Sequence, residues 1–135
     1  MILVDANVFM DVLEDRPRFE PSAKMLSLIQ EKKFEGCISA ITIPILWFLA
    51  EKSRFKTDSK KVVSNIIKGF SIISLDEAIL NKAFESNIDD FEDALQLYSA
   101  IKGKCDCIIT WNKKDFGSPK EIGIQTPEEF LGKVK

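Results

Sequence analysis

Four short apolar runs, separated by segments with helical spacing, constrain this chain more than any other feature. The runs are "ILV" (2–4), "GCISAI" (36–41), "SIISL" (71–75) and "CDCIIT" (105–110). Between them the spacing predicts helices. "PSAKMLSLIQEKK" places Ala23, Leu26 and Ile29 on one stripe. "TIPILWFLAEKSRF" opens with Thr42 as N-cap and Pro44 in its first turn, and "DSKKVVSNIIKGF" repeats Val62, Val63, Ile66, Ile67 and Phe70 in an i, i+4 pattern. "DEAILNKAFES" carries acids in its first turn, and "DFEDALQLYSAIKG" sets Phe91, Leu95, Tyr98 and Ile101 in a stripe that Gly103 ends. A capping box, Thr126–Pro127 with Glu129, opens a last helix. Apolar strands alternating with helices predict an α/β fold: a three-layer α/β/α domain around a mainly parallel sheet. No repeat, low-complexity tract or linker divides the 135 residues, so 1–135 is expected to be one domain.

In such sheets ligands bind outside the carboxyl ends of the strands, which makes the acids informative. Asp5 ends the first strand and Asp115 follows the last apolar run, so both belong to the carboxyl rim. Asp90 and Asp93 are i, i+3 at the head of a helix and project from neighbouring positions of one face. Each has an ordinary account taken alone. The first turn of a helix favours a negative charge by ~0.3–1 kcal/mol, and an Asp after a strand is commonly a turn former or cap. Together they call for a counter-charge. Carboxylates crowded into one cleft repel each other and become partly protonated unless paired. A divalent cation removes that conflict. Mg²⁺ and Mn²⁺ prefer oxygen ligands, and one or two such ions activate a water and steady the leaving oxygen of a phosphodiester.

Composition narrows the chemistry. Hydrophobic residues at 45% and charged residues at 30% are the balance of a globular protein. The sequence has no histidine, which excludes Ser-His-Asp and Cys-His nucleophilic systems and imidazole-built zinc sites. A net charge of −2 gives no bulk attraction to nucleic acid, so a polyanion would be held by a local patch or a bound cation. Lys113 and Lys114 flank the acids and are the candidates for phosphate contacts. Trp111 beside them has two readings, a base-stacking surface or a half-buried packing residue. The remaining basic pairs, Lys32/Lys33, Arg54/Lys56, Lys60/Lys61 and Lys102/Lys104, read as solvated surface. The three cysteines, Cys37, Cys105 and Cys107, are expected to be buried thiols, with Cys105 and Cys107 sharing one face of a strand. The apolar start stops at Asp5 without a basic leader, and no apolar run approaches the ~20 residues of a membrane span. A cytoplasmic location is expected.

Three stretches, "LVDANVFMDVL" (3–13), "DDFEDALQLYSA" (89–100) and "CIITWNKKDF" (107–116), resemble the PIN-domain ribonucleases, which include the VapC-like toxin nucleases of VapBC toxin–antitoxin pairs. The resemblance covers essentially the whole chain, in order. It implies a PIN-like fold with Asp5, Asp93 and Asp115 as catalytic, metal-binding acids and Asp90 as an extra metal ligand. By the same resemblance Asn7, Thr110 and Asn112 hold the acids or metal waters in place. The implied activity is Mg²⁺- or Mn²⁺-dependent hydrolysis of RNA, commonly by a homodimer, and the toxin role adds a small antitoxin protein as partner.

The chain departs from the family pattern at one position. The family usually places a Glu three residues after the Thr of an "S-x-x-T" segment. Here that segment is Ser39–Thr42, and the position holds Ile45, which cannot bind a metal. Glu51 is the nearest acid, but at ~100° per residue it lies ~240° around the helix from Ile45. Two outcomes follow: a site rebuilt around Asp90 and Asp93, or a PIN-like module with weak or no activity that binds RNA or a protein. A phosphoacceptor receiver domain wants paired acids after the first strand, and hydrolases with Asp-x-Asp there fail on Asn7.

Overall fold

The structure is a computed structural model that describes residues 1–52 and 58–134. Five strands form its sheet: β1 (Ile2–Val4), β2 (Gly36–Ser39), β3 (Ser71–Ile73), β4 (Cys107–Ile109) and β5 (Gly123–Gln125). Their order is β3-β2-β1-β4-β5, and every neighbouring pair is parallel. The helices among the described residues are α1 (Ala6–Leu13), α2 (Phe19–Gln30), α3 (Thr42–Lys52), α4 (Ser59–Ile66), α5 (Glu77–Glu85), α6 (Phe91–Lys102) and α7 (Pro127–Lys133), with a short 3-10 helix over Lys113–Phe116. The chain runs outward from β1 to β3, then returns to place β4 on the other side of β1. The β1/β4 boundary is therefore the topological switch point, where an open α/β sheet leaves a crevice.

Strand alternation sorts the core into two layers. Ile2, Val4, Ile38, Cys107 and Ile109 face α1–α4, against Phe9, Met25, Ile29, Leu46 and Val63. Leu3, Cys37 and Ile108 face the opposite way, against Leu97 and Ala100 of α6 and Phe116 of the 3-10 helix. Helix α5 packs outside α6 through Ile79, Ala83, Ala94 and Leu95. Burying a side chain the size of Phe9 or Ile108 contributes ~1.5–3 kcal/mol each. Gly36 opens β2 because a Cβ there would lie 2.8 Å from Ile29 of α2, inside contact distance.

The three-layer α/β/α architecture is as expected, and every strand pair of its sheet is parallel. Several other sequence expectations needed correction. Helix α1 was not anticipated, although Val8, Phe9, Val12 and Leu13 carry the i, i+4 spacing; Asp5 at its N-cap makes no side-chain cap bond. Strand β5 has no apolar run of its own and exists through its pairing with β4. Thr42 is the first helical residue of α3 rather than its cap, and it is buried. Phe91, expected in the packed stripe of α6, is exposed and stacks on Phe84 at 4.8 Å between ring centroids. Sandwiched between the sheet and α5, α6 instead buries Ala94, Leu95, Gln96, Leu97, Ser99 and Ala100. Cys105 and Cys107 do not share a face. Cys105 precedes β4, after Lys104 in the left-handed region (φ 55°), and joins the Leu3 layer, whereas Cys107 joins the Val4 layer. The end of the second predicted helix (53–55) and the Arg54/Lys56 pair lie outside the described residues. The capping box at Thr126 and Glu129 is present as expected.

Candidate active site

Asp5 leaves the carboxyl end of β1, and Thr110 leaves that of β4 beside it. The side chain of Asp5 is 6% exposed. Its Oδ2 accepts the Thr110 hydroxyl at 2.8 Å and the Asn7 amide at 3.3 Å. The same Asn7 amide donates to Thr110 Oγ1 at 3.1 Å, while Asn7 Oδ1 accepts the Trp111 backbone N–H at 3.3 Å. Asn112 donates its backbone N–H to Thr110 Oγ1 at 3.1 Å and accepts the Asp115 N–H at 3.0 Å through its carbonyl. Asn7 and Thr110 thus fix Asp5, and Asn112 acts through its backbone, holding the 3-10 turn that carries Asp115.

The other acids come from the start of α6. Asp90 is the N-cap: its Oδ1 accepts the Asp93 N–H at 3.0 Å, so one of its oxygens serves the helix. Asp93, one turn in, is half-buried. A cleft of ≈ 560 Å³ opens in front of it, lined by Asp89, Asp90, Asp93, Lys114 and Asp115 among others. Asp5 does not line this cleft, yet the two are electrostatically joined. Burial pushes Asp93 up to about 7, followed by the charges of Asp5, Asp90, Asp115 and Glu92. Burial likewise pushes Asp5 up to about 6, aided by Glu92 and Asp90 and opposed by the bonds from Thr110 and the Ala6 N–H. Four acids from three distant stretches therefore share one field at the carboxyl rim.

The donor set is all oxygen and carries excess negative charge, which suits a hard divalent cation. Among the described residues no three acids stand close enough together to hold one ion. The chemistry of the acids fits such a cation.

The remaining candidates divide. Lys114 lines the cleft, whereas Lys113 Nζ is paired with Glu129 Oε1 of α7 at 2.9 Å. Glu51 lies exposed on the last turn of α3 and does not line the cleft. Trp111 is half-buried, with its indole N–H on Ser22 Oγ at 2.9 Å and the Arg18 guanidinium 4.7 Å over its ring. That face of the indole is already covered. Ile45 is partly buried in α3.

Two contributors escaped the sequence reading. Glu92 acts on both Asp5 and Asp93, and its signal was the charge density of "DDFED" itself. Asp11, fully buried on α1, accepts the Ser22 hydroxyl at 2.8 Å and faces Arg18 at 3.5 Å and Arg16 at 3.9 Å. Through Ser22 it braces Trp111, next to Thr110. A charged residue on the apolar face of "ANVFMDVL" was the available signal.

The fold and site compare with known proteins as follows. No curated protein sequence matches the chain. Among solved structures it is similar to VapBC2 from Rickettsia felis bound to a DNA fragment from their promoter, with a TM-score of 0.72 and 19% identity over 93% of this chain and 98% of that one. A toxin–antitoxin complex from Klebsiella pneumoniae gives a TM-score of 0.69 and 22% identity, covering 94% of this chain and 98% of the other. FitAcB from Neisseria gonorrhoeae gives 0.69 and 22%, covering 95% and 99%. These likenesses concern the fold. The family model described as PIN domain matches residues 1–114, which hold β1 through β4 with Asp5, Asp90 and Asp93, and by that match the chain belongs to the PIN-domain family.

Proposed function

We propose that this chain is a metal-dependent endoribonuclease and the toxin of a toxin–antitoxin pair. The observation that carries the proposal is the gathering of Asp5, Asp90, Asp93 and Asp115 at one rim, where burial first and neighbouring acids second raise Asp93 to about 7, and burial with the charges of Glu92 and Asp90 raises Asp5 to about 6. At about 7, Asp93 shares its site with a proton near neutrality until a cation takes the proton's place. Asp5, Asp93 and Asp115, with Asp90 as the extra acid, would hold Mg²⁺ or Mn²⁺. The bound ion supplies Lewis acidity and an activated water for hydrolysis of an RNA phosphodiester. The chain's own groups do the rest. Thr110 and Asn7 orient Asp5, and Asn112 holds the turn bearing Asp115. Lys114, on the cleft wall, meets a phosphate of the substrate, with Lys113 at the same turn if its pair with Glu129 opens. The antitoxin is supported by solved structures of like fold that are toxin–antitoxin complexes; one of its basic side chains would fill the acidic cleft. A homodimer in the cytoplasm completes the proposal. Among the described residues no helix is long and apolar enough to cross a membrane.

The test is purified protein with single-stranded RNA in Mn²⁺, Mg²⁺ or chelator, beside Asp93→Asn. Metal-dependent cutting that disappears in the variant is the expected result. Equal cutting by both proteins, or cutting that survives chelation, would overturn the assignment.

One observation favours a second function, a non-catalytic module that binds RNA or a protein. Ile45 stands where the family usually has a metal-binding Glu. That module would retain RNA in a binding assay with Mn²⁺ while leaving it intact over long incubation.

A further inference from the structure

All three cysteines are free and buried, but two of them stand together. Cys37, the second residue of β2, and Cys105, two residues before β4, meet in the layer formed with Leu3 and Ile108. Their sulfurs lie 3.2 Å apart although 68 positions separate them in the chain. A disulfide has an S–S bond of ~2.05 Å, so the two sulfurs must close by about 1.2 Å. Cys107 faces the opposite layer and does not compete.

We propose that Cys37 and Cys105 form an oxidation site, at which a hydroperoxide converts the thiol pair to an intrachain disulfide tying β2 to the segment entering β4. Cys105 reacts first, because it is 8% exposed and Cys37 is 0% exposed. A small oxidant fits that narrow access. The hydrogen bond between the thiols also holds Cys105 below the ordinary thiol range and pushes Cys37 above it. The Cys105 thiolate attacks one peroxide oxygen, the O–O bond breaks, and hydroxide leaves, giving a sulfenic acid. The Cys37 sulfur then attacks the Cys105 sulfur. An S–S bond forms, the S–O bond breaks, and the hydroxyl leaves as water with the Cys37 proton. Two thiols are oxidised and one hydrogen peroxide is reduced to two waters. The bond would tie together segments on either side of β1, the strand that leads into Asp5. Closing so long a loop restricts the unfolded chain and raises the unfolding temperature.

The experiment treats the full chain with hydrogen peroxide under native conditions, counts thiols after denaturation and maps linked peptides by mass spectrometry. One thiol should remain, on Cys107. The map should link Cys37 to Cys105, Tm should rise, and dithiothreitol should reverse all three changes. Cys107→Ser should cross-link like the wild type, whereas in Cys37→Ser the Cys105 sulfur should proceed to the sulfinic acid. Three thiols surviving in the wild type at a peroxide dose that oxidises Cys105 in Cys37→Ser would overturn the proposal. So would linkage through Cys107 or between chains. The wild-type and Cys107→Ser measurements stand on their own should Cys37→Ser not fold.

Discussion

The Thr110 hydroxyl donates to Oδ2 of Asp5 at 2.8 Å, joining residues 105 positions apart at the ends of adjacent parallel strands. Asp5 occupies the N-cap of α1 but makes no side-chain cap bond there. Its carboxylate is held by Thr110, Asn7 and the adjacent Ala6 N–H instead, so the start of α1 gives up a cap bond while the carboxylate gains a fixed orientation.

Thr110→Val keeps the shape of the side chain and removes that donor. A buried carboxylate that loses a hydrogen bond of this kind costs about 1–3 kcal/mol. The loss should be largest at a pH where Asp5 is ionised. Urea unfolding at mildly alkaline pH reads it, with Thr110→Ser expected to stay close to the wild type. Equal stability of Thr110→Val and wild type would refute the role given to this bond.

The raised acids set a pH dependence with a definite sign. Asp93 titrates at about 7 and Asp5 at about 6 in the folded chain, against 3.8 without the fold, so the folded state binds their protons more tightly. Their contribution to stability is complete below 3.8 and is lost as pH rises through about 6 and about 7. Asp76 and Glu129 are held low by backbone caps and lysines, so they matter only on the acid side. The Tm of metal-free protein should therefore fall between about pH 5 and about pH 8. Asp93→Asn should flatten that fall, and Mn²⁺ should restore Tm at the upper end. A Tm that climbs over the same interval would contradict the shared field.

Asp90 has two separable duties. Asp90→Asn keeps a good N-cap for α6 but removes a charge facing Asp93, whereas Asp90→Ala removes both. Losing the cap costs about 1 kcal/mol. The alanine variant should be less stable than the asparagine variant by that amount, while both lower the Asp93 pKa in an NMR titration. Indistinguishable stabilities would deny the capping role.

Asp11, Ser22 and Trp111 form a continuous chain of hydrogen bonds behind the site, buried at Asp11 and Ser22 and half-buried at Trp111. Ser22→Ala leaves both the indole N–H and a carboxylate oxygen of Asp11 short of a partner, at a cost of about 1–3 kcal/mol. In a Trp47→Phe background the fluorescence of Trp111 should shift on this substitution. Unchanged emission together with unchanged stability would show that Ser22 braces nothing.

Much of the architecture was legible without coordinates because it follows from local rules. A strand of "ILV" or "CII" has no polar face, a Thr-Pro-x-Glu start writes its own cap, and an acid following a parallel strand belongs to the carboxyl rim. Those regularities placed four of the five strands and brought Asp5, Asp93 and Asp115 into consideration together. Helix α1 escaped because its cap residue is turned toward Thr110, and β5 because its three residues become a strand only when β4 lies beside them. The opposite facing of Cys105 and Cys107 depends on a backbone turn at Lys104 that no period-two pattern contains.

By itself, the order of side chains determined the alternation of elements, the exclusion of imidazole chemistry, and the acids that could act. Only packing decided which distant groups touch: Thr110 on Asp5, Cys37 against Cys105, and Ser22 on both Asp11 and Trp111. Periodicity and capping are properties of a few consecutive residues. Burial, and the electrostatic field among residues 5, 93 and 115, arise when segments a hundred positions apart exclude water from one another.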